Sequence, residues 1–211
     1  MKISRKTISA AVFLLVCIAA LILIIRYENN SRPRLLNGEQ TASLLEAAEY
    51  PSEAAKTAVQ SAASLIGRVH YFWGGKSFMT GEDPEWGVEK TVTSPGHSTS
   101  GTVRPFGLDC SGLVTWAYIQ AGVSLDEIGN GTWNQWFNSE PIEKSELRPG
   151  DLGFSREYPG SSGNHVGIFI GFYKGRPVFI HCSPTYDNVA ATTGDGVFNY
   201  YRRPLTGGAS D

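Results

Sequence analysis

HVGIFIGFYKGRPVFIHC, residues 165–182, is the stretch of this 211-residue chain that decides its fold. Two apolar runs, 166–170 and 177–180, lie on either side of the pair Lys174-Gly175. Short runs rich in valine, isoleucine and phenylalanine around a glycine-containing turn are typical of a β-hairpin. We therefore predict two antiparallel strands here, with His165 at the start of the first arm and His181 near the end of the second.

Further strands are predicted on both sides of this hairpin. Residues 147–150, Leu-Arg-Pro-Gly, have the composition of a turn, and residues 151–154 begin a strand after it. A last strand is expected from Gly196 to Arg203. The second half of the chain thus predicts an antiparallel sheet.

The first half of the chain carries helical signals instead. Ser52 is a predicted N-cap, and apolar residues recur at helical spacing until Gly67 ends the segment. A second helix is predicted from Asp109-Cys110-Ser111-Gly112 to Gly122, with one apolar face towards the core. Helices followed by an antiparallel sheet indicate an α+β fold in which N-terminal helices pack on a central sheet.

The N-terminal segment predicts one transmembrane helix. Residues 8–25 are apolar apart from Ser9, and they follow the basic residues Lys2, Arg5 and Lys6. This length suffices to cross a hydrocarbon layer and exceeds the apolar core of an ordinary secretion signal, so we expect a retained anchor, with a cleaved signal as the alternative. The predicted organisation is an anchor at 1–25, a polar tether at 26–51, a folded domain at 52–204 and a tail at 205–211.

Composition excludes several functional classes. The 18 basic residues are scattered along a chain of net charge −2, which gives no footprint for nucleic-acid binding. Three cysteines, at positions 17, 110 and 182, are too few and too unevenly spaced for a disulfide framework or a paired-cysteine zinc site. Cys17 lies in the apolar segment, where a lipid-facing side chain is the simplest interpretation. We predict no metal and no cofactor.

Cys110 is the candidate nucleophile. A thiol reacts as the thiolate, and both a helix N-terminus and a nearby imidazolium lower the pKa of a cysteine. The pattern places Cys110 in the first turn of a helix, His165 at a strand end as the general base, and His181 on the neighbouring strand to orient that base. We therefore predict a lowered pKa for Cys110 and an activity sensitive to pH where histidines titrate.

Other interpretations of the same residues remain open at this stage. Cys110 could form a disulfide with Cys182, or Cys110, His165, His181 and Cys182 could bind zinc. Strand alternation argues against the zinc site, because it sends His181 and Cys182 to opposite faces of the sheet. His70 and His97 lie among turn residues and are interpreted as surface or packing residues.

Five blocks of the sequence resemble, in order, the NlpC-type family of papain-like cysteine peptidases. The blocks are residues 71–75 (YFWGG), 109–114 (DCSGLV), 147–152 (LRPGDL), 165–168 (HVGI) and 179–182 (FIHC). The resemblance extends from about Ser52 to Pro204 and implies a papain-like fold. Residues 76–107 form a longer connection than many members have between the first two blocks, and we interpret them as an insertion.

The resemblance implies roles for individual residues. Cys110 takes the position of the nucleophile, His165 that of the base and His181 that of the third polar residue. Tyr71 matches a tyrosine that lines the cleft and helps to hold the oxyanion. Three further residues match positions near the substrate: Asp109 and Ser111, which in some members contact its amine, and Gln135.

The function implied is hydrolysis of an amide bond in the stem peptide of bacterial peptidoglycan, commonly between γ-D-glutamyl and a diamino acid. With the predicted anchor, this gives a single-pass cell-membrane protein with an extracytoplasmic catalytic domain, or a secreted one if the segment is cleaved. One alternative is an amidase or acyltransferase that uses the same Cys110/His165 pair on another acyl substrate. A catalytically silent wall-binding scaffold is the other.

Overall fold

The structure is a computed structural model that describes residues 13–22, 32–160 and 163–205. The chain divides into two compact units, Met1–Pro33 and Arg34–Asp211. In the first unit, residues 13–22 are helical and exposed. Across the described ranges, no helix combines the length and the apolar character that crossing a membrane requires. The ends of the predicted transmembrane segment, residues 8–12 and 23–25, lie outside these ranges.

A six-stranded sheet forms the centre of the second unit. The strands are β3 Ser139–Ile142, β4 Leu152–Phe154, β5 Val166–Tyr173, β6 Arg176–Ser183, β7 Asn188–Thr193 and β8 Tyr200–Pro204, numbered in chain order after β1 Glu89–Thr91 and β2 Val103–Pro105 of a separate small sheet. Their order in the sheet is β3-β8-β4-β5-β6-β7, and every neighbouring pair is antiparallel. The antiparallel sheet and the α+β class predicted from the sequence are thus confirmed.

The hairpin of β5 and β6 has the predicted tight turn. Tyr173 pairs with Arg176, and the two residues between them, Lys174 and Gly175, have φ values of 52° and 75°. Positive φ at both central positions defines the type I′ turn, whose twist matches that of the strands. This turn, together with a shift in the pairing between Phe169 and Gly171, sets the register that brings His165 and His181 to the same end of the sheet.

Within the described part of the second unit, the structure has five α-helices: α1 Gly38–Glu46, α2 Glu53–Ser64, α3 Cys110–Gln120, α4 Leu125–Ile128 and α5 Thr132–Phe137. The predicted N-cap of α2 is confirmed, because the Ser52 hydroxyl accepts a hydrogen bond from the Ala55 amide at 3.1 Å. The backbone at Gly67, where the segment was predicted to end, has a φ of 73°. A 3₁₀ turn at Lys144–Glu146 precedes β4.

The folded unit begins earlier than the sequence predicted. Leu36 is buried, its amide donates to the Ala191 carbonyl at 2.9 Å, and Leu35 bridges Thr192 on the edge strand β7. Helix α1 then contacts β5, and the side-chain amide of Gln40 donates to the Tyr173 hydroxyl at 3.0 Å. Residues 34–51 are therefore not a tether. The sequence did not predict this attachment because the segment is of mixed polarity. Few apolar side chains hold it, and backbone pairing supplies the remaining contacts.

Helix α3 is enclosed on all sides instead of on one face. Every residue from Cys110 to Tyr118 is buried between α2 and strands β5 and β6. The remaining side is covered by residues 76–107: Trp86 packs edge-on against Trp116, whose indole N–H donates to the Gly81 carbonyl at 3.0 Å. The prediction of a single core face is corrected, since a helix that is apolar all round is a buried helix.

The connection 76–107 contains a small sheet of its own. Strands β1 Glu89–Thr91 and β2 Val103–Pro105 pair antiparallel. With three residues each, these strands are too short to produce a visible alternation in the sequence. The connection nevertheless contacts Tyr71, because the ring of His97 lies 5.8 Å from the Tyr71 ring.

Candidate active site

Cys110 is the first residue of α3, as predicted. Asp109 caps the helix through a hydrogen bond of 2.7 Å from the Gly112 amide to its carboxylate. The sulfur of Cys110 accepts hydrogen bonds from the backbone amides of Ser111 and Val166. Because Val166 follows His165 directly, the helix start is held against the strand end that carries the histidine.

The protonation state of Cys110 differs from the sequence-based prediction. Burial, reinforced by the negative charge of Asp109, raises the pKa of the Cys110 thiol to about 12, although Lys76 and the two backbone amides oppose this rise. The helix N-terminus therefore does not produce a lowered pKa in this structure, because desolvation of the thiolate outweighs it. The resting site contains a neutral thiol.

His165 and His181 form the predicted pair. Nε2 of His165 lies 2.8 Å from Nδ1 of His181, and Nε2 of His181 lies 2.8 Å from the Thr192 hydroxyl. These contacts are satisfied when each imidazole donates from Nε2 to the next group in the chain. Nδ1 of His165 is then unprotonated. A general base needs an unprotonated nitrogen of this kind to accept a proton.

His181 is buried, His165 is partly buried, and both are neutral. Burial lowers the pKa of His165 from 6.5 to about 4. Burial, followed by the neighbouring His165, lowers the pKa of His181 well below its usual value. Phe198 stacks on the His165 ring at 5.6 Å and meets the His181 ring edge-on at 5.4 Å. The Phe198 ring therefore helps to hold both imidazole rings in their orientations.

Thr192 is a site residue that the sequence analysis missed. It is fully buried on β7 and supplies the hydroxyl at the far end of the histidine chain. A threonine in a predicted strand is ordinarily a packing residue, and only the pairing of β6 with β7 brings this one next to His181. No signal in the sequence distinguishes it from its neighbour Thr193.

Tyr71 lies beside the nucleophile. It is buried, and its backbone bridges Leu108 two residues before Cys110. Burial and the nearby Cys110 raise the pKa of the Tyr71 hydroxyl, so this group is a neutral donor. Tyr71 also lines an open cavity of about 360 Å³, the rest of which is formed by residues 97–99, Arg104, 184–185 and Asp187.

Asp109 and Ser111, which flank Cys110, belong to a polar cluster with Lys76. The Lys76 ammonium contacts Oδ1 of Asp109 and donates to the Ser111 hydroxyl at 2.7 Å. The Ser111 hydroxyl donates in turn to Oδ1 of Asp109 at 2.9 Å. Sequence analysis missed Lys76 because it opens a turn-rich stretch, where a lysine is ordinarily a solvated side chain.

Gln135 does not line the cleft. It is 1% exposed, and its amide group donates to the Ser111 carbonyl at 2.8 Å and to the Thr115 hydroxyl at 3.0 Å. It therefore braces α3 from within the protein. This position corrects the sequence-based assignment of Gln135 to the substrate.

Cys182 has a packing position on the opposite face of the sheet from His181. It belongs to the apolar cluster of α2 and α3, while His181 packs against Phe198 on the other side. Its sulfur donates to the Leu108 carbonyl at 3.0 Å, and all three cysteines are free. In the described ranges, no three or more His, Cys, Asp or Glu side chains are arranged to hold a metal ion.

Comparison with known proteins places this geometry in a family. The family model described as NlpC/P60 family matches residues 68–206. Peptidoglycan DL-endopeptidase CwlO of Bacillus licheniformis is 31% identical over 118 residues, which are 56% of this chain and 21% of that protein. Peptidoglycan endopeptidase RipA of Mycolicibacterium smegmatis is 30% identical over 122 residues, which are 58% of this chain and 20% of that protein.

A solved structure shares the fold. The peptidoglycan hydrolase RipB of Mycobacterium tuberculosis superposes with a TM-score of 0.50 at 20% identity, covering 95% of this chain and 85% of that one. The matches to the two curated relatives span only 21% and 20% of their own length. The resemblance noted in the sequence is thereby confirmed at the level of the family and the fold.

Proposed function

The chain belongs to the NlpC/P60 family, and on that basis we propose that it is a cysteine peptidase that hydrolyses an amide bond in the stem peptides of bacterial peptidoglycan. The observation that carries the proposal is the hydrogen-bonded chain from Thr192 through His181 to His165, together with the hydrogen bond to the Cys110 sulfur from the backbone amide of Val166, the residue after His165. Packing alone does not require two hydrogen-bonded imidazoles in a row, since withdrawing each of them from water costs free energy.

The proposed reaction begins from the neutral thiol. Sγ of Cys110 attacks the carbonyl carbon of the scissile amide while its proton passes to Nδ1 of His165, so that a C–S bond forms and the carbonyl oxygen becomes an oxyanion. His165, now an imidazolium, returns the proton to the leaving nitrogen as the C–N bond breaks. Water then attacks the thioester, gives a proton to His165, and releases the acid and the Cys110 thiol.

The oxyanion is proposed to bind two donors. One is the backbone N–H of Cys110, which lies in the first turn of α3 and so has no partner within the helix. The other is the hydroxyl of Tyr71, a neutral donor next to Cys110. Donors fixed in place before the reaction contribute most in a site from which water is excluded.

The bond proposed to be cut joins γ-D-glutamyl to the diamino acid. Support comes from the family assignment and from CwlO, a relative named as a DL-endopeptidase. Purified peptidoglycan should be digested with the chain and with Cys110→Ala, and the soluble products analysed by mass spectrometry. Fragments that end in γ-D-glutamate are expected only with the unmodified protein. Products cut at another amide would identify the amidase alternative, and no products would favour a silent wall-binding protein.

We also propose that residues 8–25 anchor the catalytic unit to the cell membrane, with the catalytic unit outside. The support is the apolar run itself, which follows three basic residues. Full-length protein expressed in cells should remain in the membrane pellet after carbonate extraction, and a chain that starts at residue 32 should not. Release of the full-length protein into the medium in a shortened form would indicate a cleaved signal instead.

The pKa of His165 predicts the acid limb of the pH profile. The base must be neutral, and burial keeps it neutral until the pH falls to about 4, whereas an ordinary imidazole would be charged below 6.5. We therefore expect kcat/KM to hold between pH 6.5 and 5 and to fall around pH 4. The loss of activity is therefore expected at a lower pH than the range of ordinary histidine titration that the sequence alone suggested.

The matching control is stability over the same pH range. An unfolded chain binds protons on His165 below pH 6.5 and the folded chain does not until about pH 4, so stability declines as the pH falls through this window. The melting temperature at each pH separates this decline from titration of the base. A midpoint of the kcat/KM profile at pH 6 or above, in folded protein, would contradict the assignment.

A further inference from the structure

Lys76 lies next to the nucleophile in a fixed position. It follows Gly75, whose carbonyl accepts a hydrogen bond of 3.0 Å from the Asp109 amide and whose amide donates to the Phe72 carbonyl at 2.8 Å. The side chain is only 20% exposed, and that of Asp109 only 9%. This lysine is therefore held against the start of α3 and does not behave as a mobile surface cation.

The charge of Asp109 is already matched within the protein. Its Oδ1 accepts hydrogen bonds from the Gly112 amide at 2.7 Å and the Ser111 hydroxyl at 2.9 Å, and it contacts the Lys76 ammonium. A buried carboxylate beside a nucleophile would otherwise attract a cationic group of the substrate. Here Lys76 already fills the place beside Asp109, and a second ammonium would be repelled by the Lys76 charge in surroundings of low dielectric constant.

Lys76 lies against both residues that flank the nucleophile. Asp109 and Ser111 are the residues directly before and after the nucleophile, and Lys76 bonds to both. The electrostatic influence of Lys76 extends to the sulfur, since its charge lowers the pKa of Cys110 against the effect of burial. A substrate with its carbonyl at Cys110 therefore places its neighbouring groups within reach of the Lys76 charge.

We propose that Lys76 determines specificity: it occupies the position that a free substrate ammonium would take beside Asp109, so that the enzyme prefers stem peptides whose amino terminus is acylated. Such an amino terminus is neutral, as it is while the peptide remains attached to the glycan. The inference rests on the proposed function and adds the substrate class to it. With this specificity, the protein would cleave stem peptides in the intact cell wall in preference to released peptides.

Two synthetic peptides test the proposal: L-alanyl-γ-D-glutamyl-diamino acid with a free amino terminus, and the same peptide N-acetylated. We expect the wild-type kcat/KM to favour the acetylated peptide by about tenfold or more, the size of effect that one unfavourable charge contact produces. Lys76→Met should raise kcat/KM for the free-amine peptide about tenfold relative to the acetylated one. The double variant Lys76→Met/Asp109→Asn should lose discrimination, because it removes both charges.

Lys90→Met is the matched control. Lys90 lies in the same connection, where it pairs with the exposed Glu85 at 2.6 Å, and its loss should leave the ratio of the two kcat/KM values unchanged. The wild-type comparison needs no variant, and melting temperatures show whether Lys76→Met folds. Wild-type preference for the free-amine peptide would overturn the inference, and so would an equal loss of both activities in folded Lys76→Met. Failure to cleave either peptide or purified peptidoglycan would overturn the proposed function itself.

Discussion

Replacing Cys110 with alanine is expected to lower the turnover of purified peptidoglycan by on the order of 10³-fold or more, because the reaction loses the atom that forms the acyl-enzyme. His165→Ala should cause a loss of similar size. The two groups act as one unit, since the thiol is neutral and cannot attack unless the imidazole accepts its proton. The double variant should therefore be little worse than either single variant.

The control for this prediction is Cys182→Ala. Cys182 is also a fully buried cysteine, but it lies on the opposite sheet face from His181 and bonds only to backbone carbonyls, at 3.0 Å and 3.8 Å. Most of the activity should remain. Release of soluble fragments from labelled peptidoglycan measures the rates, and circular dichroism confirms folding. A loss with Cys182→Ala as large as that with Cys110→Ala would mean that the nucleophile has been assigned to the wrong cysteine.

The sequence predicted the positions of the proposed catalytic groups because each has a local signal. A cysteine after an N-capping aspartate predicts the helix start at Cys110, and a hairpin with a two-residue turn predicts that His165 and His181 lie at the same end of the sheet. The structure agrees with the predicted helix start, the turn and the contact between the two histidines. The helix start and the turn depend on contacts close in sequence, whereas the contact between the two histidines also depends on the shift in pairing between Phe169 and Gly171, which the sequence did not predict.

The residues that were missed depend on contacts between distant segments. Thr192 reaches His181 only because β7 pairs with β6, and Lys76 reaches Asp109 only because residues 70–76 run beside residues 107–112. The position of Gln135 was assigned wrongly for the same reason, since its contacts with α3 are invisible in the local pattern. The predicted pKa of Cys110 also failed because a helix terminus is a local feature, while burial is a property of the whole fold.

Backbone proximity at the site leads to the second large expected effect. Residues 70–75 pair with the segment before α3: the Leu108 amide donates to the His70 carbonyl at 3.1 Å, and the Phe72 amide donates to the Leu108 carbonyl at 3.0 Å. Glycines make this approach possible. A Cβ atom added to Gly107 would lie 2.0 Å from the His70 carbonyl oxygen, and one added to Gly75 would lie 2.2 Å from the Gly107 carbonyl oxygen.

Gly107→Ala is therefore expected to lower the free energy of unfolding by about 3 kcal/mol, the upper end of the cost of overpacking a core, because the obstructing atom is backbone and cannot rotate away. For a domain of this size, that loss corresponds to a fall in melting temperature of roughly 6–12 °C. Activity should fall with it even at temperatures where the variant is folded. The two segments must separate to admit the methyl group, and such a shift moves Tyr71, Lys76 and Cys110 relative to one another.

Gly38→Ala is the matched control, because it adds the same methyl group at an uncrowded position. A Cβ at Gly38, the first residue of α1, would meet no atom within 4 Å, so the same substitution should alter the free energy of unfolding by no more than about 0.5 kcal/mol. Thermal melts and kcat/KM measured on both variants separate the effect of adding a methyl group from the effect of the close packing around Gly107. Equal melting temperatures for the two variants would show that residues 70–75 and 107–112 do not approach as closely as described, and the placement of Lys76 against Asp109 would then lose its structural basis.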